Sequence, residues 1–306
     1  MSHKVALLGD PGIDGAFAIA LALHDPAVHV LGLLATPGNI SADQATKNIQ
    51  IIVDNVDPPR LPRLGAAPNV SYDTDGTKLH GANGLGATDF PCAPLHHLPS
   101  SEKLLADLIR QHPHELTLIC LGPLTVAARA FDLYPEAPQM VRRIVCVGGS
   151  YHEPGNAGPV SEFHFYCDPP AARKVMTCGA PITLITLDLL RKVLFSPTDL
   201  LGFPDDGSPT CRFLRQIVPY GIAATSNLYG IEGFHLKDVL GVLAVSLPAA
   251  FKTRNMRVDV ETRGELTRGM AIFDQRHWVA GKPNIDVAYE VDADEARRYI
   301  NRVLGF

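Results

Sequence analysis

No apolar run in this chain is long enough to cross a bilayer, no stripe of Lys and Arg crosses it, and no two cysteines stand in C-x-x-C spacing. Aromatic residues are sparse at 7%, with one Trp, and charged residues make up only 19%. Each scarcity excludes something. The missing apolar span argues against a membrane protein, and a net charge of −5 with scattered basic residues argues against bulk nucleic-acid binding. Cys92, Cys120, Cys146, Cys167, Cys178 and Cys211 are dispersed and lie largely in apolar runs, so they are read as reduced packing residues. Met1-Ser2-His3-Lys4 leads directly into an apolar strand with no signal-peptide core, which predicts a soluble, cytoplasmic protein. A dinucleotide-binding oxidoreductase is disfavoured because the first strand meets Asp10-Pro11-Gly12-Ile13-Asp14 and no G-x-G-x-x-G.

What remains is ample material for a core: 46% of the 306 residues are hydrophobic. Apolar runs predict strands over 4–9, 28–36, 116–122, 142–148 and 181–187, alternating with helical stretches over 14–24, 42–55, 101–111, 124–133 and 169–177. This alternation predicts an α/β fold, a mostly parallel central sheet flanked by helices with a Rossmann-like core. Residues 65–99, rich in Pro, Gly, Asn and His, read as an elaborated loop over the sheet edge. A helical insertion is expected over about 195–250, with one helix around Arg212–Val218 and another over 238–251. Strands over 256–262, 269–274 and 284–290 and a helix over 293–304 complete a single domain, 1–306.

Polar clusters fall where the strands should end, on the edge where parallel sheets bind ligands. After the first strand come Asp10 and Asp14. A lone Asp-Pro-Gly favours the plainer reading, a turn whose amides Asp10 satisfies and a helix start that Asp14 caps. The other strand ends decide the matter: Thr36-Pro37-Gly38-Asn39, Leu121-Gly122-Pro123-Leu124-Thr125 and Gly148-Gly149-Ser150, followed by Asn156, Glu162, His164 and Lys237-Asp238.

Taken in order, these motifs resemble the inosine-uridine nucleoside hydrolase family over nearly the whole chain. The family pattern D-x-D-P-G-x-D-D corresponds to Leu8 through Gly15. His80-Gly81, Gly84-Leu85-Gly86, Gly155-Asn156, Ser161-Glu162-Phe163-His164, Asp168-Pro169, Gly264 through Gly269 and Pro283 through Val287 follow in register. The resemblance implies hydrolysis of the N-glycosidic bond of a nucleoside or related ribosyl compound, with calcium at the floor of a ribose pocket. It implies that Asp10 is general base and metal ligand, that the Leu121 carbonyl and Asp238 are further ligands, and that Asp14 and Asn39 bind ribose hydroxyls. Asn156 and Glu162 would hold the 5′ side of the sugar, and a homodimer or homotetramer is expected.

Four positions depart from the family pattern: Leu8 and Gly15 replace Asp residues, His164 replaces a ribose-binding Asn, and Lys237 replaces a His. Glycine offers calcium no side-chain oxygen. The expectation is therefore a depleted metal site in which calcium binds weakly or is absent, with the Lys237 ammonium substituting for its charge. Coordination by Asp14 or another side chain is the alternative. His164 is read as a pocket residue or a satisfied core histidine. His235, His80 and His152 are candidate acids for the leaving group, and His80 is also a candidate substrate contact. The competing reading of the whole chain is a catalytically inactive homologue retained as a binding or regulatory protein.

Overall fold

The computed structural model describes residues 2–94, 97–203, 207–276 and 281–305. A nine-stranded sheet carries the fold, in the order β10-β9-β11-β6-β5-β4-β1-β2-β3. Its strands are β1 (His3–Gly9), β2 (Val28–Ala35), β3 (Arg63–Gly65), β4 (Thr117–Leu121), β5 (Arg143–Val147), β6 (Ile182–Ile185), β9 (Phe251–Val260), β10 (Ala271–Asp274) and β11 (Ile285–Val291), and a separate short ribbon pairs β7 (Leu194–Phe195) with β8 (Phe234–His235). Pairings from β3 across to β11 are all parallel, whereas β9 runs antiparallel to both β11 and β10.

The chain leaves β1 for β2 on one side and returns with β4 on the other. Here the direction of strand progression reverses, and the crevice at the carboxyl ends of such a pair is the natural ligand site of an open parallel sheet. Asp10 follows β1 there, and Leu121 ends β4 opposite Gly9.

Side-chain alternation along β1 sorts the core into two layers. Val5 and Leu7 pack with α1 (Ile13–His24), α2 (Ala42–Val56), and the later helices α11 (Pro209–Tyr229), α12 (Val239–Ser246) and α13 (Ala293–Leu304). Ala6 and Leu8 pack with α4 (Ser101–Gln111), α5 (Thr125–Leu133) and α8 (Pro169–Met176). The remaining helical turns are α3 (Thr77–His80), α6 (Ala137–Met140), α7 (Phe163–Cys167), α9 (Leu187–Leu190) and α10 (Pro197–Leu201). Ser41 caps α2 by accepting the Gln44 amide, as its place before an apolar repeat requires.

The chain's two ends meet at Asp25, which is buried at the end of α1. Its Oδ2 accepts the hydroxyls of Tyr299 at 2.6 Å and Ser246 at 2.5 Å, and its Oδ1 accepts the Ala27 amide.

Three expectations are corrected. The second helix of the insertion stops at Ser246, because Pro248 disfavours helical backbone at Leu247. The strand expected at 256–262 begins at Phe251, and its first half is exposed. The 65–99 region contains α3 and starts within β3. Residues 95 and 96 of that region, and 204–206 of the insertion, lie outside the described residues. Among the described residues no helix is long and apolar enough to cross a membrane, and all six cysteines are free.

Candidate active site

The turn after β1 places Asp10 at the crevice, 1% exposed. Its Oδ2 accepts the Asn39 backbone amide at 2.7 Å, and the Asn39 side-chain amide donates to the Asp10 carbonyl. Oδ1 is buried and has no hydrogen-bond partner. Two glycines allow this seat: a Cβ on Gly38 would stand 2.0 Å from Oδ2, and one on Gly122 would stand 2.9 Å from Oδ1. Burial raises the Asp10 carboxyl to about 7, opposed by His164 and the Asn39 amide.

Asp14 lies in the first turn of α1, with Oδ1 accepting the Gly15 amide. His80 closes that turn from the loop side: its Nδ1 accepts the Ile13 amide at 3.1 Å. Burial lowers the ring to about 4, outweighing the opposing effect of Asp14. The His80 Nδ1–Asp14 Oδ1 approach of 3.8 Å therefore involves a nitrogen that carries no proton, and the two do not form an ion pair.

Glu162 precedes α7 and caps it. Its Oε2 accepts the amides of His164 and Phe165, and also that of Gly149 from the loop after β5, so one carboxylate oxygen ties two walls of the site together. His164 is a pocket residue. Nδ1 lies 3.2 Å from the Val147 carbonyl, and Nε2 stands 3.8 Å from Asp10 Oδ1. Burial pushes this ring down, but Glu162, Asp10 and the Val147 carbonyl prevail and leave it above its ordinary range.

Asp238 ends the approach to α12 and is 3% exposed. Burial, then Asp14 and Asp10, push its carboxyl well up, while Lys237 opposes them. His235, on β8, is lowered to about 4 by burial, then by Lys237 and Arg191, and its Nδ1 has no hydrogen-bond partner.

Above this floor is a cavity of about 700 Å³ whose walls include Asp14, Asn39, His80, Asn156, Glu162, His164, His235 and Lys237. Asp10 lies one layer below, against Asn39 and His164. Residues separated by more than 220 positions thus converge as the strand-end reading expected. His152 does not join them: it lines a separate cavity with Tyr151 and Asp188, whose carboxylate accepts the amides of residues 151–153. Leu8 does not lie on the site either. It packs in the layer containing Leu34, Cys120 and Leu124, because alternation along β1 turns it toward α4 and α5.

One tether carries no sequence signal. The Thr125 hydroxyl donates to Asp168 Oδ2 at 2.6 Å, so the Tyr72 hydroxyl donates to Thr125, at 2.7 Å. This fastens the 65–99 loop, which supplies Thr74, Asp75, Gly76, Lys78, Leu79 and His80 to the cavity, to the start of α5.

The side chains at the floor do not fit a calcium cage. Calcium takes six to eight oxygens. Here Asp10 Oδ2 is taken by Asn39, Oδ1 faces a ring nitrogen, and Gly15 supplies no side-chain oxygen. Asp238 Oδ2 lies 3.2 Å from where a Cβ on residue 15 would stand. Among the described residues, no three His, Cys, Asp or Glu side chains converge where they could hold a metal ion.

The sequence profile described as inosine-uridine preferring nucleoside hydrolase matches residues 6–298. The chain is 32% identical to a probable uridine nucleosidase 2 of Arabidopsis thaliana, over 95% of this chain and 94% of that protein. It is 31% identical to an inosine-uridine preferring nucleoside hydrolase of Leishmania major, over 96% and 95%. Among solved structures, a purine-preferring ribonucleoside hydrolase from Gardnerella vaginalis superposes with a TM-score of 0.91 at 26% identity, over 99% of this chain and 98% of that one.

Proposed function

The chain belongs to the inosine-uridine preferring nucleoside hydrolase family, hydrolases acting on N-glycosyl compounds, and on that premise we propose that Asp10 is the base of its N-ribohydrolase reaction. The observation that carries this assignment is the unpartnered Oδ1 of Asp10, buried beneath a polar cavity. A buried acceptor without a donor is costly in a finished fold. Water entering from the cavity would satisfy it, and Asp10 would take that water's proton as the oxygen attacks the anomeric carbon.

Asp14 and Asn39 are assigned to the ribose hydroxyls, and Asn156 and Glu162 to the 5′ side. These four share the cavity wall. The amides of residues 149, 164 and 165 all converge on Glu162 Oε2, and Oε1, 3.6 Å from His164 Nδ1, is the oxygen left for such a contact. As the glycosidic bond breaks, positive charge develops on the sugar, and the carboxylates of the floor are prearranged to stabilise it. His80 and His235, both neutral, would donate hydrogen bonds to the departing base, and Lys237 is a neighbouring basic chain on the same wall.

The test is release of base and ribose from a panel of purine and pyrimidine nucleosides, with added calcium and with chelator. Hydrolysis lost in Asp10→Asn supports the reading. No release from any nucleoside in either condition tells against it and favours the inactive, ligand-binding homologue.

A further inference from the structure

We infer, resting on the reaction proposed above, that the acidic floor of this site is balanced by the Lys237 ammonium and not by a resident calcium ion. Four carboxylates gather there, Asp10, Asp14, Glu162 and Asp238, each 5% exposed or less. Buried carboxylates need positive charge or strong donors close by. Glu162 has three amides, and Asp10 Oδ2 has one. Asp238 has no such set, and the charge next to it is that of Lys237, its neighbour in sequence, which also lines the cavity with Asp14. Of the other basic chains on that wall, His164 faces Asp10 Oδ1 and Glu162 Oε1, Arg191 pairs with Glu153 at 2.6 Å, and Lys78 is exposed, which leaves Asp238 and Asp14 to Lys237.

The donors themselves argue the same way. A hard cation prefers oxygen, yet the nearest partner presented to Asp10 Oδ1 is the imidazole nitrogen of His164. Asp238 turns Oδ2 into the space beside Gly15, where another side chain would otherwise sit. An ammonium on a flexible stem can reach such a cluster and offset its charge, but it offers three donors and no coordination sphere. Recognition of the sugar hydroxyls then falls to Asp14 and Asn39.

Calcium titration calorimetry of the chelator-stripped full chain tests this directly, with wild type beside the Gly15→Asp/Lys237→Met double variant. The double variant restores an acidic side chain next to Asp238 and removes the competing charge. The expected result is no saturable heat from wild type at dissociation constants below about 100 µM, and a one-to-one isotherm below that value from the double variant. Circular dichroism and melting establish that both are folded, and if the double variant fails to fold, Gly15→Asn/Lys237→Met, which supplies an oxygen at residue 15 without a new charge, takes its place with a gain expected in the same direction. Stoichiometric binding by wild type below about 100 µM, or a folded variant that gains none, would overturn the inference. The calorimetry reads independently of turnover, so an inactive wild type would count against the proposed reaction while leaving this result standing.

Discussion

His80 Nδ1 accepts the amide of Ile13, so a loop histidine occupies the place where a helix N-cap side chain would ordinarily stand. Gly12, at the N-cap of α1, has no side chain to offer, and a Cβ there would lie 2.6 Å from that same ring nitrogen. The arrangement orients the ring, fixes its proton on Nε2 and couples the 65–99 loop to the helix that bears Asp14.

That bond has a pH signature. The folded His80 pKa, about 4, lies below the ordinary 6.5, so the unfolded chain takes up the proton first as pH falls. The contribution to stability is present above about pH 6.5 and is lost as pH falls toward 4, up to about 3 kcal/mol. Urea denaturation at pH 7 and pH 4.5 should show wild type losing about 2 kcal/mol more than His80→Gln, which keeps an acceptor but does not titrate. Equal losses would refute the neutral, accepting ring.

Asp10→Asn should lower kcat by about 10³-fold while KM changes little. The variant should melt no lower than wild type, because burial already disfavours the ionised carboxylate. Activity within tenfold of wild type would remove Asp10 from the base role.

Gly38→Ala tests the tightness of the same seat. Its new Cβ would fall 2.0 Å from Asp10 Oδ2 and 2.8 Å from Pro123 Cδ, so the carboxylate must shift. A displacement of this order at a reacting group costs about 10²-fold. Steady-state kinetics should place the loss in kcat, with the far-ultraviolet spectrum unchanged.

Tyr72→Phe removes the donor that ties the loop to Thr125 and Asp168. The loop supplies cavity residues but not the base, so KM should rise several-fold while kcat stays within about twofold. The lost hydrogen bond should cost about 1 kcal/mol in denaturant unfolding. An unchanged KM would show that the tether does not shape the pocket.

The parallel half of the sheet was legible in sequence because its strands are continuous apolar runs separated by amphipathic helices. β1, β2 and β4–β6 fall within two residues of their expected limits. The first half of β9 was not, since Lys252 through Asn255 are exposed and their side-chain partners on β11, among them Glu290 and Asp286, lie more than 30 positions away. The places of Asp10 and Asn39 after β1 and β2 were legible from the same apolar runs as the strands, whereas Asp238, which opens α12, was singled out by the order of the motifs. Leu8 was misplaced because it stands where the family pattern has its first Asp and was counted with the site, whereas alternation turns it into the other core layer. Tyr72 and Asp188 left no signal: one meets Thr125 across 53 positions, the other meets the 151–153 amides from more than 30 positions away, and neither contact has a local pattern.

The Asp25 junction has a consequence for the order in which the molecule can be finished. The helix that carries Asp14 ends at a carboxylate whose hydroxyl partners, Ser246 and Tyr299, lie in the last fifth of the chain. During synthesis from the N-terminus, β1 and α1 emerge first, with only the Ala27 amide on Asp25 until Ser246 and then Tyr299 have left the ribosome. The helix that bears Asp14 is thus made early and fastened late, and a chain that stops short of α13 would leave Asp25 without its Tyr299 hydroxyl.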